Sequence, residues 1–193
     1  MSSFFKNHQV SWGWFVTTAA TDRRIQNYGF DLAYETAGMY FDLANFLPST
    51  EVDVVIKEEK GTLQNWIEPI IEGFPSGDSG ETYRQLNANL LSKGETKLRH
   101  FTAYRHGEIA ASATLFLSGN CVMLHNLATK IKFRNLGIAA SLTSHLMSEA
   151  KKSGYKHCFL DSSDMAINLY RKLGFKIYAV TREYELAASG VKK

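Results

Sequence analysis

The chain has 193 residues, enough for one compact core or for one domain with an appendage. Its 45% apolar content is that of a globular protein, and its formal charge of +3 is spread along the chain without a dense Lys/Arg stripe. This does not suggest nucleic acid, so no nucleic-acid partner is expected, and it leaves room for an anionic ligand. No apolar run approaches the ~20 residues of a membrane span, and "MSSFFKNHQV" lacks a signal-peptide layout. A soluble cytoplasmic protein with no membrane partner is expected, and Cys121 and Cys158, both in apolar strand-like runs, read as free buried thiols.

At the N-terminal end, "WFVTTAATDRRIQNYGFDLAYETAGMYFDL" (Trp14 to Leu43) reads strand, helix, Gly-Phe, strand. "CFLDSSDMAINLYRKLGFKIYAVTREYEL" (Cys158 to Leu186) reads the same way. The two are either an internal half-repeat or a chance likeness of two strand–helix–strand units. Trp12 and Trp14 read as strand residues packing an indole rather than as a stacking surface.

"DVVIK" (Asp53 to Lys57) has the content of a short strand. Thr62 is placed to cap a helix whose apolar positions Leu63, Trp66, Ile67, Ile70 and Ile71 share one face, with a kink expected at Pro69. "PSGDSG" (Pro75 to Gly80) is a loop, and a second amphipathic helix runs from about Glu81 to Leu91. "LRHFTAYR", "EIAASATLFL" and "CVMLHNLAT" follow, joined by tight turns as an antiparallel meander. A helix from about Asn135 to Ser153 ends at Gly154, a natural position for a left-handed residue. "KHCFL" has the apolar run of a strand buried on both faces. Ser163 or Asp164 then caps a helix carrying Ala166, Leu169, Tyr170 and Leu173, which Gly174 ends before the last strand. The fold class is α/β with a mixed sheet: meander, parallel strand pair and flanking helices. The expected division is a scaffold segment at 1–50, a main domain at 51–187 and a flexible tail at 188–193.

The stretch "KFRNLGIAASL" opens the long helix. A helix start exposes unpaired N–H groups and partial positive charge, a seat for phosphate oxygens. Gly137 and the small Ala139 let a ligand approach the backbone, and Arg134 adds a cation with several donors. Neither a G-x-x-x-x-G-K-[ST] loop nor a strand-borne G-x-G-x-x-G is present.

Together, "RNLGIA" (Arg134 to Ala139) and "AINLYRKLGF" (Ala166 to Phe175) resemble the GNAT superfamily of acyl-CoA N-acyltransferases. The first is similar to its [RQ]-x-x-G-x-[GA] loop, the second to its C-terminal helix and Gly-Phe motif. The likeness covers about Asp53 to Leu186 in element order, and the N-terminal piece, read beside it as a partial GNAT-like scaffold, lies outside the common core. One departure is Ser163, where the family often has Asn. The resemblance implies acetyl-CoA as co-substrate. Its pantetheine arm would bond the backbone of Leu127, Ala128 and Thr129, and its diphosphate would sit on Arg134 and the amides of Asn135, Leu136, Gly137, Ile138 and Ala139. Ser163 would lie on the cofactor side.

Acyl transfer to an amine needs a neutral amine, a stabilised carbonyl oxygen and a protonated leaving thiolate. The resemblance puts Tyr170 at the leaving-group acid; without it Tyr170 is a core residue. His125 has a side chain suited to proton removal, or is a histidine bonded to backbone. Glu183 and Glu185 alternate on the last strand as proton drains or as a solvated face. Asn126 orients a substrate or satisfies backbone groups. Pro75 to Gly80 is an acceptor-covering segment or a solvent loop. Scattered His and Cys residues give no metal spacing, so no metal is expected. The activity implied is N-acetyl transfer to a small-molecule or peptide primary amine, by direct attack, in a monomer or homodimer. The alternative is an acyl-CoA-binding sensor or scaffold without catalysis.

Overall fold

The computed structural model describes residues 12–16, 19–48, 52–74 and 79–186. Its elements, in chain order, begin with β1 (Trp12–Val16), α1 (Ala19–Asn27), β2 (Asp31–Asp42) and β3 (Val55–Glu59). Helices α2 (Gln64–Gly73) and α3 (Ser79–Ser92) precede the meander β4 (Leu98–Arg105), β5 (Glu108–Ser118) and β6 (Cys121–Thr129). Then come α4 (Ile138–Lys152), β7 (His157–Ser162), α5 (Ile167–Lys172) and β8 (Lys176–Leu186). The chain forms two compact units, residues 1–39 with 161–193, and residues 40–160.

In the larger unit the strand order is β7–β6–β5–β4–β3. Antiparallel registers join β3 to β4, β4 to β5 and β5 to β6, and a parallel register joins β6 to β7 from Cys121↔His157 to Leu124↔Leu160. The meander and the parallel pair are therefore as read from the sequence. Alternate residues of β4 point to opposite faces. His100 meets Trp66 of α2, with ring centroids 4.4 Å apart. Phe101 meets His145 of α4 at 6.1 Å, so α2 and α4 cover opposite faces of the meander. Leu63, Trp66, Ile67, Ile70 and Ala128 form the core beneath α2.

In the smaller unit the order is β1–β8–β2. β1 lies antiparallel to β8, from Trp12↔Leu186 to Val16↔Arg182. Val16, Ile25, Phe30 and Tyr184 form its core, and Arg182 pairs with Glu35 at 2.8 Å.

Several local expectations are corrected. The first strand of the main domain runs Val55–Glu59, two residues later than "DVVIK". Leu63, at φ 57, precedes α2 in the left-handed region with no side-chain cap, and the Thr62 carbonyl accepts from Arg84. The chain turns there to bury Leu63. The helix continues through Pro69, and Ile71 is exposed rather than on the buried face. α3 begins at Ser79, which takes Ser79 and Gly80 out of the expected loop, while Pro75 to Asp78 lie outside the described residues. The Trp12 and Trp14 side chains and the tail 188–193 also lie outside them. α5 has no side-chain cap; the Ser163 carbonyl instead accepts the N–H groups of Ala166 and Ile167. Cys121 is half-buried, while Cys158 is fully buried, and both are free.

Candidate acyl-transfer site

β6 is paired on one side by β5 along its length, but its parallel pairing with β7, among the described residues, stops at Leu124↔Leu160. Five more residues, His125 to Thr129, extend beyond that point. Within them the β5–β6 register shifts, from Thr114↔His125 to Ser112↔Ala128, so Asn126 and Leu127 together oppose Ala113. Asn126 takes φ 53, a left-handed conformation that Asn tolerates better than most residues. The bulge interrupts the ladder with β5, and on the other side Leu127–Ala128–Thr129 lie past the last β7 pair. α2 presses close to Ala128: a Cβ on Gly73 would lie 3.2 Å from the Ala128 Cβ.

After β6 the chain makes a short 3-10 turn at Ile131–Phe133 and reaches the loop that opens α4. The loop is anchored at its base. Lys130 pairs with Glu68 at 2.6 Å, Glu72 accepts from the Ile131 N–H, and Lys132 pairs with Glu108. Arg134 is exposed and its Nε donates to the Thr129 carbonyl at 3.3 Å, which holds the guanidinium beside the end of β6. Asn135 and Gly137 both sit in the left-handed region, at φ 61 and 76. These two turns delay the helix to Ile138, three residues after the expected start at Asn135. They also curl the amides into a concave nest suited to anions, joined to the unpaired first-turn amides of α4, Ile138 and Ala139 among them. A Cβ at Gly137 would fall 2.7 Å from Val52 Cγ2, so the loop has no room for a side chain at that position. These residues suit a diphosphate: bare backbone, a helix start and one exposed cation.

A cavity of about 290 Å³ adjoins the bulge. Tyr83 and Asn87 of α3, Thr114 of β5, and His125 and Asn126 of β6 line it, with Leu98 and Phe116 as its apolar wall. Asn126 Nδ2 donates to the Tyr83 hydroxyl at 2.9 Å, and Asn87 Nδ2 donates to the Tyr83 carbonyl at 2.9 Å. Thr114 Oγ1 is 2.9 Å from His100 Nδ1. His100 is buried, and burial pushes its pKa down to about 4, so it is neutral near pH 7. Tyr83, Asn87, His100 and Thr114 were not among the expected site residues. The alternation of β4 and β5 placed His100 and Thr114 within reach of each other, but nothing in the sequence brought α3 above them.

The expected residues divide between the units. His125, Leu127, Ala128, Thr129, Arg134, Asn135, Leu136, Gly137, Ile138 and Ala139 are brought together in the larger unit along β6, the loop and the start of α4. Ser163 and Tyr170 belong to the smaller unit. Tyr170 is buried on α5, its ring 5.7 Å from Phe175. Burial pushes the Cys158 thiol up to about 12, so it carries no thiolate for nucleophilic attack. Among the described residues no three His, Cys, Asp or Glu side chains gather as a metal site. Among them, too, no helix is long and apolar enough to cross a membrane.

This combination of a splayed β6, a bulge and a glycine loop opening a long helix defines an acyltransferase-type fold. The profile of the acetyltransferase (GNAT) family matches residues 63–175, more than half of the chain, and the protein belongs to that family. Among solved structures, a GCN5-related N-acetyltransferase from Kribbella flavida is 13% identical, covers 95% of this chain and 71% of its own, and superposes with a TM-score of 0.74. One from Sphaerobacter thermophilus is 15% identical over 91% of this chain, which spans 59% of that protein, with a TM-score of 0.71. The PaiA N-acetyltransferase of Thermoplasma acidophilum, in complex with coenzyme A, is 18% identical over 68% of this chain and 98% of its own, with a TM-score of 0.58. At such identities the likeness establishes the fold. No curated protein matches the sequence significantly.

Proposed function

We propose that the protein moves an acetyl group from acetyl-CoA to a primary amine by direct attack in a ternary complex. The observation that carries this reading is the loop Arg134–Ala139, where two left-handed residues and a glycine without room for a Cβ open α4 beside a guanidinium. The coenzyme A bound to the PaiA relative supports the same ligand here. Arg134 and the amides from Asn135 to Ala139 hold the diphosphate, the backbone of Leu127, Ala128 and Thr129 receives the pantetheine arm, and Ser163 contributes on the cofactor side. Acetyl-CoA supplies an activated carbonyl and a thiol leaving group. The amine forms its C–N bond as the C–S bond breaks. His125 takes the amine proton, and Tyr170 returns one to the departing sulfur. The acceptor is a small-molecule or peptide amine, the compartment is the cytoplasm, the assembly is a monomer or homodimer, and the N-terminal segment to about residue 50 acts as scaffold.

Two measurements decide. Calorimetry with acetyl-CoA should give binding that Arg134→Glu weakens about 10-fold or more, the scale of losing a charge-assisted bond. Free thiol should appear when acetyl-CoA meets a panel of amines. An absence of heat would remove the reading. Heat without thiol release across the panel would replace it with the acyl-CoA sensor.

A further inference from the structure

The hydrogen bonds behind the cavity wall assign a direction to two hydroxyls. His100 is neutral and carries one ring proton. Its Nε2 is buried and has no partner among the described residues. An orphaned buried N–H is the rarer of the two outcomes, so the proton sits on Nδ1 and is donated to Thr114 Oγ1, 2.9 Å away. Thr114 thus accepts from behind and keeps its own proton to donate, and it lines the cavity. The opposite wall repeats this logic. Tyr83 accepts from Asn126 Nδ2 at 2.9 Å, which leaves the phenol proton to be donated from a residue that also lines the cavity.

Two residues that carry O–H donors therefore line a space whose other lining residues include no carboxylate, ammonium or guanidinium. A polyamine would find no anionic partner there. A carboxylate would find donors but no permanent cation. A neutral carbonyl or hydroxyl oxygen finds what it needs. A volume of about 290 Å³ accommodates roughly ten non-hydrogen atoms at ~30 Å³ each. Resting on the acetyl-transfer reading above, we infer that the acyl acceptor is a small primary amine bearing a neutral oxygen, an amide carbonyl or a hydroxyl, bonded by Thr114 and Tyr83. His100 is then a positioning residue that acts through Thr114.

Five probes test this with acetyl-CoA in kinetics and with CoA in calorimetry: alaninamide, alaninol, alanine, isopropylamine and spermidine. The first two carry the neutral oxygen on the same carbon skeleton that alanine and isopropylamine present with a carboxylate or a methyl. Alaninamide, alaninol or both should exceed the other three by about 10-fold or more in kcat/KM and in affinity, one lost hydrogen bond's worth of discrimination. Which of the two leads separates carbonyl from hydroxyl. Thr114→Val and Tyr83→Phe should each raise KM for the preferred probe about 10-fold more than they raise it for isopropylamine. His100→Phe should behave like Thr114→Val, and His100→Asn, which can still donate, should recover part of the loss. Tyr83 is partly exposed, so Tyr83→Phe remains informative if the His100 variants do not fold. Thiol release with isopropylamine, alanine or spermidine ranked equal or higher overturns the inference and leaves the acetyltransferase reading standing. The correct ranking in calorimetry without thiol release supports the pocket chemistry and removes the enzyme. Equal effects of Thr114→Val and Tyr83→Phe on every probe also overturn it.

Discussion

The two strand–helix–strand segments of the chain end their helices alike. After α1, Gly29 at φ 83 donates to the Gln26 carbonyl, and Phe30 donates to the Ile25 carbonyl at 3.5 Å. After α5, Gly174 at φ 92 donates to the Arg171 carbonyl, and Phe175 to the Tyr170 carbonyl at 3.0 Å. Both phenylalanines are buried. One position differs in kind: the residue whose carbonyl receives the Phe N–H is Ile25 in the first segment and Tyr170 in the second. Both side chains are buried, but only one has a hydroxyl. The same helix-ending device thus buries a hydroxyl-bearing side chain in one segment and an aliphatic one in the other. A local backbone motif specifies how a helix stops, and the side chain it buries specifies what the segment can do.

Four experiments would break or sharpen that comparison. Phe30→Ala and Phe175→Ala each empty a buried aromatic site and should cost about 3–5 kcal/mol in denaturant unfolding. A neutral result for either would show that its motif is not a packing unit.

Acid should act outside both motifs. The His100 imidazole protonates near 6.5 when unfolded and only near 4 in the fold, because burial disfavours the cation. Its stabilising contribution is complete above about 6.5 and is lost as pH falls from there toward 4, to a total on the order of 3 kcal/mol. Melting temperature against pH should show this limb equally in wild type, Phe30→Ala and Phe175→Ala, and a flatter one in His100→Phe.

Tyr170→Phe should lower kcat about 10–100-fold, equivalent to ~1.4–2.7 kcal/mol of barrier. Ile25→Val should leave kcat unchanged. Wild-type turnover in Tyr170→Phe would reduce Tyr170 to the role of Ile25. The smallest effects belong to the glycines. Gly29→Ala and Gly174→Ala place a Cβ in the left-handed region and should each cost about 1–2 kcal/mol. A markedly smaller loss at Gly29 would fit its neighbour's longer hydrogen bond, 3.5 against 3.0 Å.

Amino-acid chemistry close in the chain determined much of this protein. The meander was legible because alternating apolar residues and two-residue turns act over a few positions, and Gly154 and Gly174 marked helix ends because a left-handed residue is cheapest there. The expectation of an anion loop at Arg134 to Ala139 rested on the same kind of local feature, a glycine at a helix start. The start of α4 was misread because Asn135 and Leu136 have no obligatory conformation of their own, and the left-handed turn at Asn135 holds the chain out of the helix until Ile138.

What only the tertiary structure decided depends on partners far along the chain. The bulge at Asn126 arises from how β6 pairs with β5 and is not written in "HNLAT". Tyr83 and Asn126 meet across 43 positions, and His100 and Thr114 across 14. The direction inferred for the Thr114 hydroxyl rests on the burial of His100 Nε2, which no window of sequence contains. Propensity and turn chemistry act locally, whereas desolvation and hydrogen-bond polarity are set by whatever the completed fold brings alongside.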